Sequence, residues 1–283
     1  MPVFVTHADT AIGTDLVRAL VAEGADVRAF ATGAGDVAEV RAVGAIVAVG
    51  DLDDEGHLEA AMTHAHTVVV PEIGWLADAD DVATSWPVIV RAAVQAEVAR
   101  IVVVSLVGAR AGATVPVLDV LGRIEALVED AEPQSLVVRI DGVVEADHAD
   151  VAAALGGTDG PCRDAVMAPV ARADLVAGLV ALDAARSGRA GGHALFTAFG
   201  PTRPVGGPVD GNAAGTTSAD RTAGPDQEPE HPGTVASPDP DVARTTLVGR
   251  RWMPPARRRE LVRAICDREP PAIVGADLWE LVR

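Results

Sequence analysis

A chain of 283 residues with a net charge of −18 repels nucleic acid and anionic membrane surfaces, so neither is an expected partner. All 23 basic residues are arginine, tyrosine and lysine are absent, and aromatics make up 3% of the chain, so the core must come from Val, Ala, Leu and Ile. No apolar run approaches the roughly 18 residues of a spanning helix and the start M-P-V-F-V-T has no basic leader, so a soluble, cytoplasmic protein is expected.

From residue 2 to about 140, short Val/Ile-rich runs alternate with amphipathic stretches, the pattern of βαβ units around a parallel sheet. Strands are predicted over 2–6, 26–30, 45–49, 67–70, 100–105 and 135–140. The first helix, over 11–23, sets Leu16, Leu20 and Val21 on one face and stops at Gly24. Further helices are predicted over 36–43, 55–63, 80–97 and 117–129. Right-handed crossovers wind this series into an α/β, doubly wound parallel sheet of Rossmann type.

Beyond residue 140, a helix over 172–186 and a strand over 193–196 form a smaller region, expected over the carboxyl ends of the strands, where such folds bind ligands. Residues 1–200 thus read as one domain. Residues 201–241 carry eight of the 19 prolines and few large apolar side chains, and read as a disordered linker. Residues 242–283 read as a basic helical tail, with Leu261, Val262 and Ile265 on one helix after Pro255. Asp277 is expected to cap a last helix bearing Leu278, Leu281 and Val282. Residues 245–283 hold eight Arg against five acids, a charge of +3 that leaves −21 on the rest. Docking of this tail onto the acidic body is the preferred reading, and a separate protein partner is the alternative.

The most informative stretch is V-F-V-T-H-A-D-T-A-I-G-T-D-L-V-R, a strand, a tight turn and a helix. It resembles the NmrA-like, atypical branch of the short-chain dehydrogenase/reductases, whose turn reads T-G-A-T-G-x-x-G. The family's three glycines fall at His7, Thr10 and Gly13, and only the last is kept. Those glycines let a pyrophosphate lie against backbone amides at a helix N-terminus. Side chains at His7 and Thr10 obstruct that approach, and the Asp9 carboxylate opposes a diphosphate by roughly 3 kcal/mol at about 5 Å and an effective dielectric near 20.

Other segments extend the resemblance over about residues 2–200. V-G-A-I-V-A-V-G-D-L-D-D-E is similar to the family's third strand and its G-D-L-x-D signature, which places Asp51 near an adenine. V-I-V-R-A-A-V-Q-A-E-V-A-R-I-V-V-V-S leads to the family's serine, here Ser105. L-V-V-R-I-D-G-V-V-E matches a segment usually written Arg-Pro, keeping Arg139, with Asp141 a departure. M-A-P-V-A-R-A-D-L-V places Asp174 at a matching acid. The resemblance implies NAD(P) as the cofactor, weakly held, along Thr6, His7, Asp9, Thr10, Ile12, Gly13, Thr32, Asp51, Leu52 and Pro71. The second strand ends A-F-A-T-G-A-G, with neither an arginine for a 2′-phosphate nor an acid for a ribose diol, so NAD and NADP are not distinguished.

In catalytic members a Tyr, with a Lys four residues later, protonates the carbonyl oxygen. Matching on E-A-L-V puts Val117 and Leu121 in those places. Loss of a positioned acid costs about 10²–10⁴-fold in rate, so carbonyl reduction is not expected and no catalytic residue is assigned beyond the retained Ser105. Hydride transfer to a quinone or flavin, needing little proton help, stays open.

The remaining clusters point to no chemistry. His64 and His66 lack a third ligand nearby and read as solvated, and Asp78–Asp81 reads as a helix cap. Cys162 and Cys266 read as buried free thiols and Arg257, Arg258 and Arg259 as solvated charge, so no metal site is expected. Three functions compete: a non-catalytic binding or regulatory module taking a small molecule in the crevice, an NAD(P)H-dependent oxidoreductase with an unusual phosphate loop, and an interaction protein acting through its Arg-rich tail.

Overall fold

The computed structural model describes residues 1–33, 37–71, 79–141, 143–144, 166–185, 192–199, 203–204 and 276–277. The expected linker beyond residue 204, the tail helices, both cysteines, Asp78 and Arg257–Arg259 lie outside the described residues.

The alternation seen in the sequence becomes β1 (Val3–Val5), α1 (Ala11–Ala22), β2 (Val27–Ala31), α2 (Val37–Ala42), β3 (Ile46–Val49), α3 (Glu55–Met62) and β4 (Thr67–Val70). It continues through α4 (Ala79–Gln95), β5 (Arg100–Leu106), α5 (Pro116–Glu129) and β6 (Gln134–Ile140). Two-residue strands β7 (Val143–Val144), β8 (Val166–Met167) and β9 (Val170–Ala171) lead to α6 (Arg172–Ala184), β10 (His193–Ala198), β11 (Arg203–Pro204) and β12 (Ala276–Asp277).

The strands order as β12-β10-β6-β5-β4-β1-β2-β3, all parallel, with the direction of winding reversing between β1 and β4. Helices on both faces explain why β4 and β5 are buried along their whole length, where a half-solvated strand would alternate. Phe4, Phe30, Leu16, Leu58, Met62, Ile101 and Leu121 fill the interior, each under 2% exposed. At the β3 edge, Ile46 is 61% and Val49 38% exposed, and among the described residues no further strand pairs with β3.

Two features depart from the sequence expectations. The strand at 193–198 does not sit in the small region over the strand ends: it extends the main sheet, parallel to β6 from His193↔Ser135 to Ala198↔Ile140. The chain that includes α6 thus returns to the side of β6, the strand it left. Secondly, Arg203–Pro204, within the stretch read as linker, pairs antiparallel with Val166–Met167. Asp277 itself lies in β12, and the helix expected to follow it is outside the described residues.

Helix ends follow local chemistry. Gly24, at φ +80°, and Ala25 return amide bonds to Val21 and Leu20 and close α1. Asp54 caps α3 by accepting from the His57 amide at 3.0 Å. The C-terminal carbonyls of α6 at Leu182 and Asp183 receive bonds of 3.2 and 3.4 Å from Arg100, a 5% exposed cation at the start of β5.

Candidate functional site

The carboxyl ends of β1 and β4 flank the point where the winding reverses, the crevice in which open α/β sheets take ligands. Thr6 and Pro71, the residues directly after β1 and β4, are buried there. His7 adopts the left-handed backbone that favours glycine, φ +51°, and its Nδ1 lies 2.9 Å from the Thr6 hydroxyl. The β1–α1 corner thus combines a glycine-like backbone with a full side chain.

Gly13 is where the fold permits no substitute. A Cβ there would stand 2.0 Å from the His7 carbonyl oxygen and 2.8 Å from the Ala8 Cα, so α1 can approach β1 only with glycine at this place. Thr10 is the N-cap of α1: its hydroxyl accepts from the Gly13 amide at 3.1 Å and donates to the His7 carbonyl at 2.8 Å. The Thr14 amide bonds the Thr10 carbonyl, and the Thr14 hydroxyl donates to the Ala8 carbonyl at 2.9 Å. Of the first four amides of α1, those of Gly13 and Thr14 are thus engaged within the corner, which leaves Ala11 and Ile12 to meet an anion.

Asp9 turns away from the helix terminus toward β2. Its Oδ2 accepts from the Gly33 amide at 2.8 Å and from the Thr32 hydroxyl at 3.3 Å, while its Oδ1 is buried with no described partner. The end of β2 is where dinucleotide-binding folds place the acid that binds a ribose diol. Among the described residues that end, Thr32 and Gly33, has no acid of its own, and a carboxylate from the first corner reaches across to it. Ile12 packs half-buried against the core. Asp51, after β3, is exposed and accepts from the Asp53 amide at 3.0 Å, and Leu52 turns inward, 7% exposed. The structure thus gathers Thr6, His7, Asp9, Thr10, Ile12, Gly13 and Thr32 at one corner and places Asp51 and Leu52 beyond the end of β3.

Ser105 is 0% exposed on β5 and its hydroxyl has no described partner. A buried hydroxyl without a hydrogen bond is costly to keep, so Ser105→Ala is expected to leave the unfolding free energy unchanged or raise it by about 1 kcal/mol. A loss of more than about 1 kcal/mol in urea titration would show a hydrogen bond formed at this hydroxyl.

Along α5, Leu121 is 1% exposed, a buried aliphatic where the resemblance implies a lysine. The loop after β5 lies directly on this helix. Its Arg110 amide bonds the Leu118 carbonyl at 3.1 Å, its Gly112 amide bonds Asp119 Oδ1 at 2.8 Å, and a Cβ at Gly122 would meet the Arg110 carbonyl carbon at 2.0 Å. Arg139 locks the arrangement from β6. It pairs in fork geometry with Glu125 at 3.1 and 2.6 Å and donates to the Ala109 carbonyl at 3.0 Å. Asp141, 2% exposed, accepts from the Ala168 amide at 2.7 Å and so ties the end of β6 to the segment before α6.

Thr14, Gly33 and Glu125 escaped the sequence reading; Thr14, next to Gly13 in the first turn of α1, had the clearest signal. His64, in the α3–β4 turn at φ +68°, is exposed, and His66 Nδ1 lies 3.3 Å from the Thr67 hydroxyl. Among the described residues no three His, Cys, Asp or Glu side chains gather as a metal would require, and no helix is long and apolar enough to cross a membrane.

No protein-family model and no curated protein sequence matches the chain. Solved structures do. A nucleoside-diphosphate-sugar epimerase from Staphylococcus aureus superposes with a TM-score of 0.60 at 17% identity, over 72% of this chain and 73% of the other. The UDP-glucose 4-epimerase of Bifidobacterium longum, in complex with NAD+ and UDP, gives 0.59 at 18% over 72% and 80%. The enzyme WbmG of Bordetella bronchiseptica, in complex with NAD, gives 0.56 at 18% over 72% and 74%. The chain therefore has the parallel α/β, Rossmann-like fold of these NAD-binding and sugar-nucleotide proteins.

Proposed function

We propose that this protein is a non-catalytic binding or regulatory module built on the fold of the NmrA-like reductases, acting through its crevice on a small molecule other than a dinucleotide. The observation that carries this reading is the corner after β1. The Thr10 hydroxyl holds the Gly13 amide, which leaves only those of Ala11 and Ile12 toward an anion, and the Asp9 carboxylate at the end of β2 is already bound to the Thr32 hydroxyl and the Gly33 amide. The residues present do not fit NAD(P), and no reaction step is derived through it. The buried Leu121, in a chain without tyrosine or lysine, supports the absence of carbonyl reduction.

The second reading, an NAD(P)H-dependent oxidoreductase passing hydride to a quinone or flavin, draws on the kinship with NAD-bound structures and on the glycine-like backbone at His7. A screen of quinones and redox dyes with NADH and NADPH separates the two. Oxidation of neither cofactor above the enzyme-free rate is expected. Turnover of about 1 s⁻¹ or more with any acceptor, within the ordinary enzyme range, would establish the second reading.

A further inference from the structure

The C-terminal halves of α4 and α5 form a groove of about 220 Å³, its apolar lining made by Val90, Val94, Leu127 and Ala131. Leu127 is 37% exposed there. The rim is acidic: Asp130 lines the groove itself, and Glu97, Glu129 and Glu132, at or just past the ends of the two helices, are exposed. Because both helices finish here, the negative ends of their dipoles add to the same field. Two arginines on these helices are already paired, Arg91 with Glu55 and Arg123 with Asp119, each at 2.9 Å. An apolar groove with an acidic rim fits an amphipathic helix that carries basic charge.

This chain contains such a segment. Residues 256–265, A-R-R-R-E-L-V-R-A-I, hold four Arg against one Glu, with Leu261, Val262 and Ile265 at helical spacing. Arg257, Arg258 and Arg259, at the start of that pattern, oppose a helix dipole, so acids beside them offset the cost. The topology brings the segment within reach. β12 is parallel to β10 and β10 to β6, so the chain enters β12 from the end of the sheet at which α4 and α5 finish, before β5 and β6 begin. β12 stands two strands from β6, roughly 10 Å, and the ten residues 266–275 can span up to roughly 33 Å. We propose that the α4–α5 groove is the docking site of this chain's own residues 256–265, with their aliphatic side chains in the groove and their arginines against its acidic rim. The ten-residue tether sets an effective concentration of about millimolar, whereas a second copy brings a like charge of −18.

A photo-reactive p-benzoylphenylalanine in place of Leu127, in the full-length protein, tests the site. Irradiating a mixture of isotopically light and heavy protein is expected to join position 127 to residues 256–265 of the same chain, with no light–heavy product. Light–heavy products, which would place a second copy in the groove, or the absence of any product at 256–265, would overturn the proposal. Hydrogen exchange reads the same contact without a probe. The amides of residues 257–265 are expected to exchange at least tenfold faster in full-length Leu127→Arg, whose cation meets the arginines, than in the wild type, while those of β5 are unchanged. Leu127→Ala, which adds no charge, is expected to give a smaller increase. Exchange of residues 257–265 at the wild-type rate in both variants would equally overturn the proposal.

Discussion

Replacing His7, Asp9 and Thr10 together by Gly, Thr and Gly is expected to tighten NADH binding by about 10- to 100-fold. The triple variant writes the corner as T-G-A-T-G-A-I-G. His7→Gly keeps a residue suited to the observed φ of +51° and removes its side chain. Thr10→Gly frees the Gly13 amide from the hydroxyl that now holds it, returning a donor to the N-terminus of α1. Asp9→Thr removes a carboxylate that the structure turns toward β2, whose repulsion of a phosphate is thus below the roughly 3 kcal/mol of a direct approach at about 5 Å, and with the freed amide one or two factors of ten in affinity follow. The same changes remove an N-cap and the Asp9–Gly33 bond, so the variant should lose about 1–2 kcal/mol of stability. Calorimetry at a temperature where both proteins are folded checks the affinity. An unchanged affinity would mean that the side chains at this corner are not what keeps a dinucleotide out.

Arg139→Ala is expected to cost about 3–5 kcal/mol of unfolding free energy. Arg139 and Glu125 are 20% and 11% exposed at their side chains, and the guanidinium holds both carboxylate oxygens and the Ala109 carbonyl. Removing it leaves Glu125 as a buried charge without its partner, and unties the loop after β5 from α5 and β6. Urea unfolding measures the loss. The double variant Arg139→Leu with Glu125→Leu should recover most of it, because neither charge is then left alone. A single-variant loss below about 1 kcal/mol would show that the pair does not hold this region.

Most of the sheet was legible because its signals are local. Val/Ile runs between amphipathic stretches located β1 to β6, and Gly24 located the end of α1. Gly13 was legible as the retained glycine, and the structure supplies the reason in its contact with the His7 carbonyl. The reach of Asp9 was not legible: Thr32 and Gly33 lie 23 and 24 residues away, and only the parallel pairing of β1 with β2 brings them beside it. The sequence reading set Asp9 against a diphosphate, and the structure adds that its carboxylate is bound to Thr32 and Gly33 at the end of β2. Arg139 and Glu125 sit 14 residues apart on different elements, so their pairing depends on α5 lying across β6. Nor do two-residue strands such as β11 and β12 have a period to detect, and β10 carries no local mark of which sheet it joins.

Titration calorimetry of the unaltered protein with NADH and NADPH tests the closed corner most directly. Heats indistinguishable from dilution up to roughly millimolar cofactor are expected, an affinity no stronger than about −4 kcal/mol. Saturable binding in the micromolar range would contradict the account, since the side chains of His7, Asp9 and Thr10 would then not keep a dinucleotide from this corner.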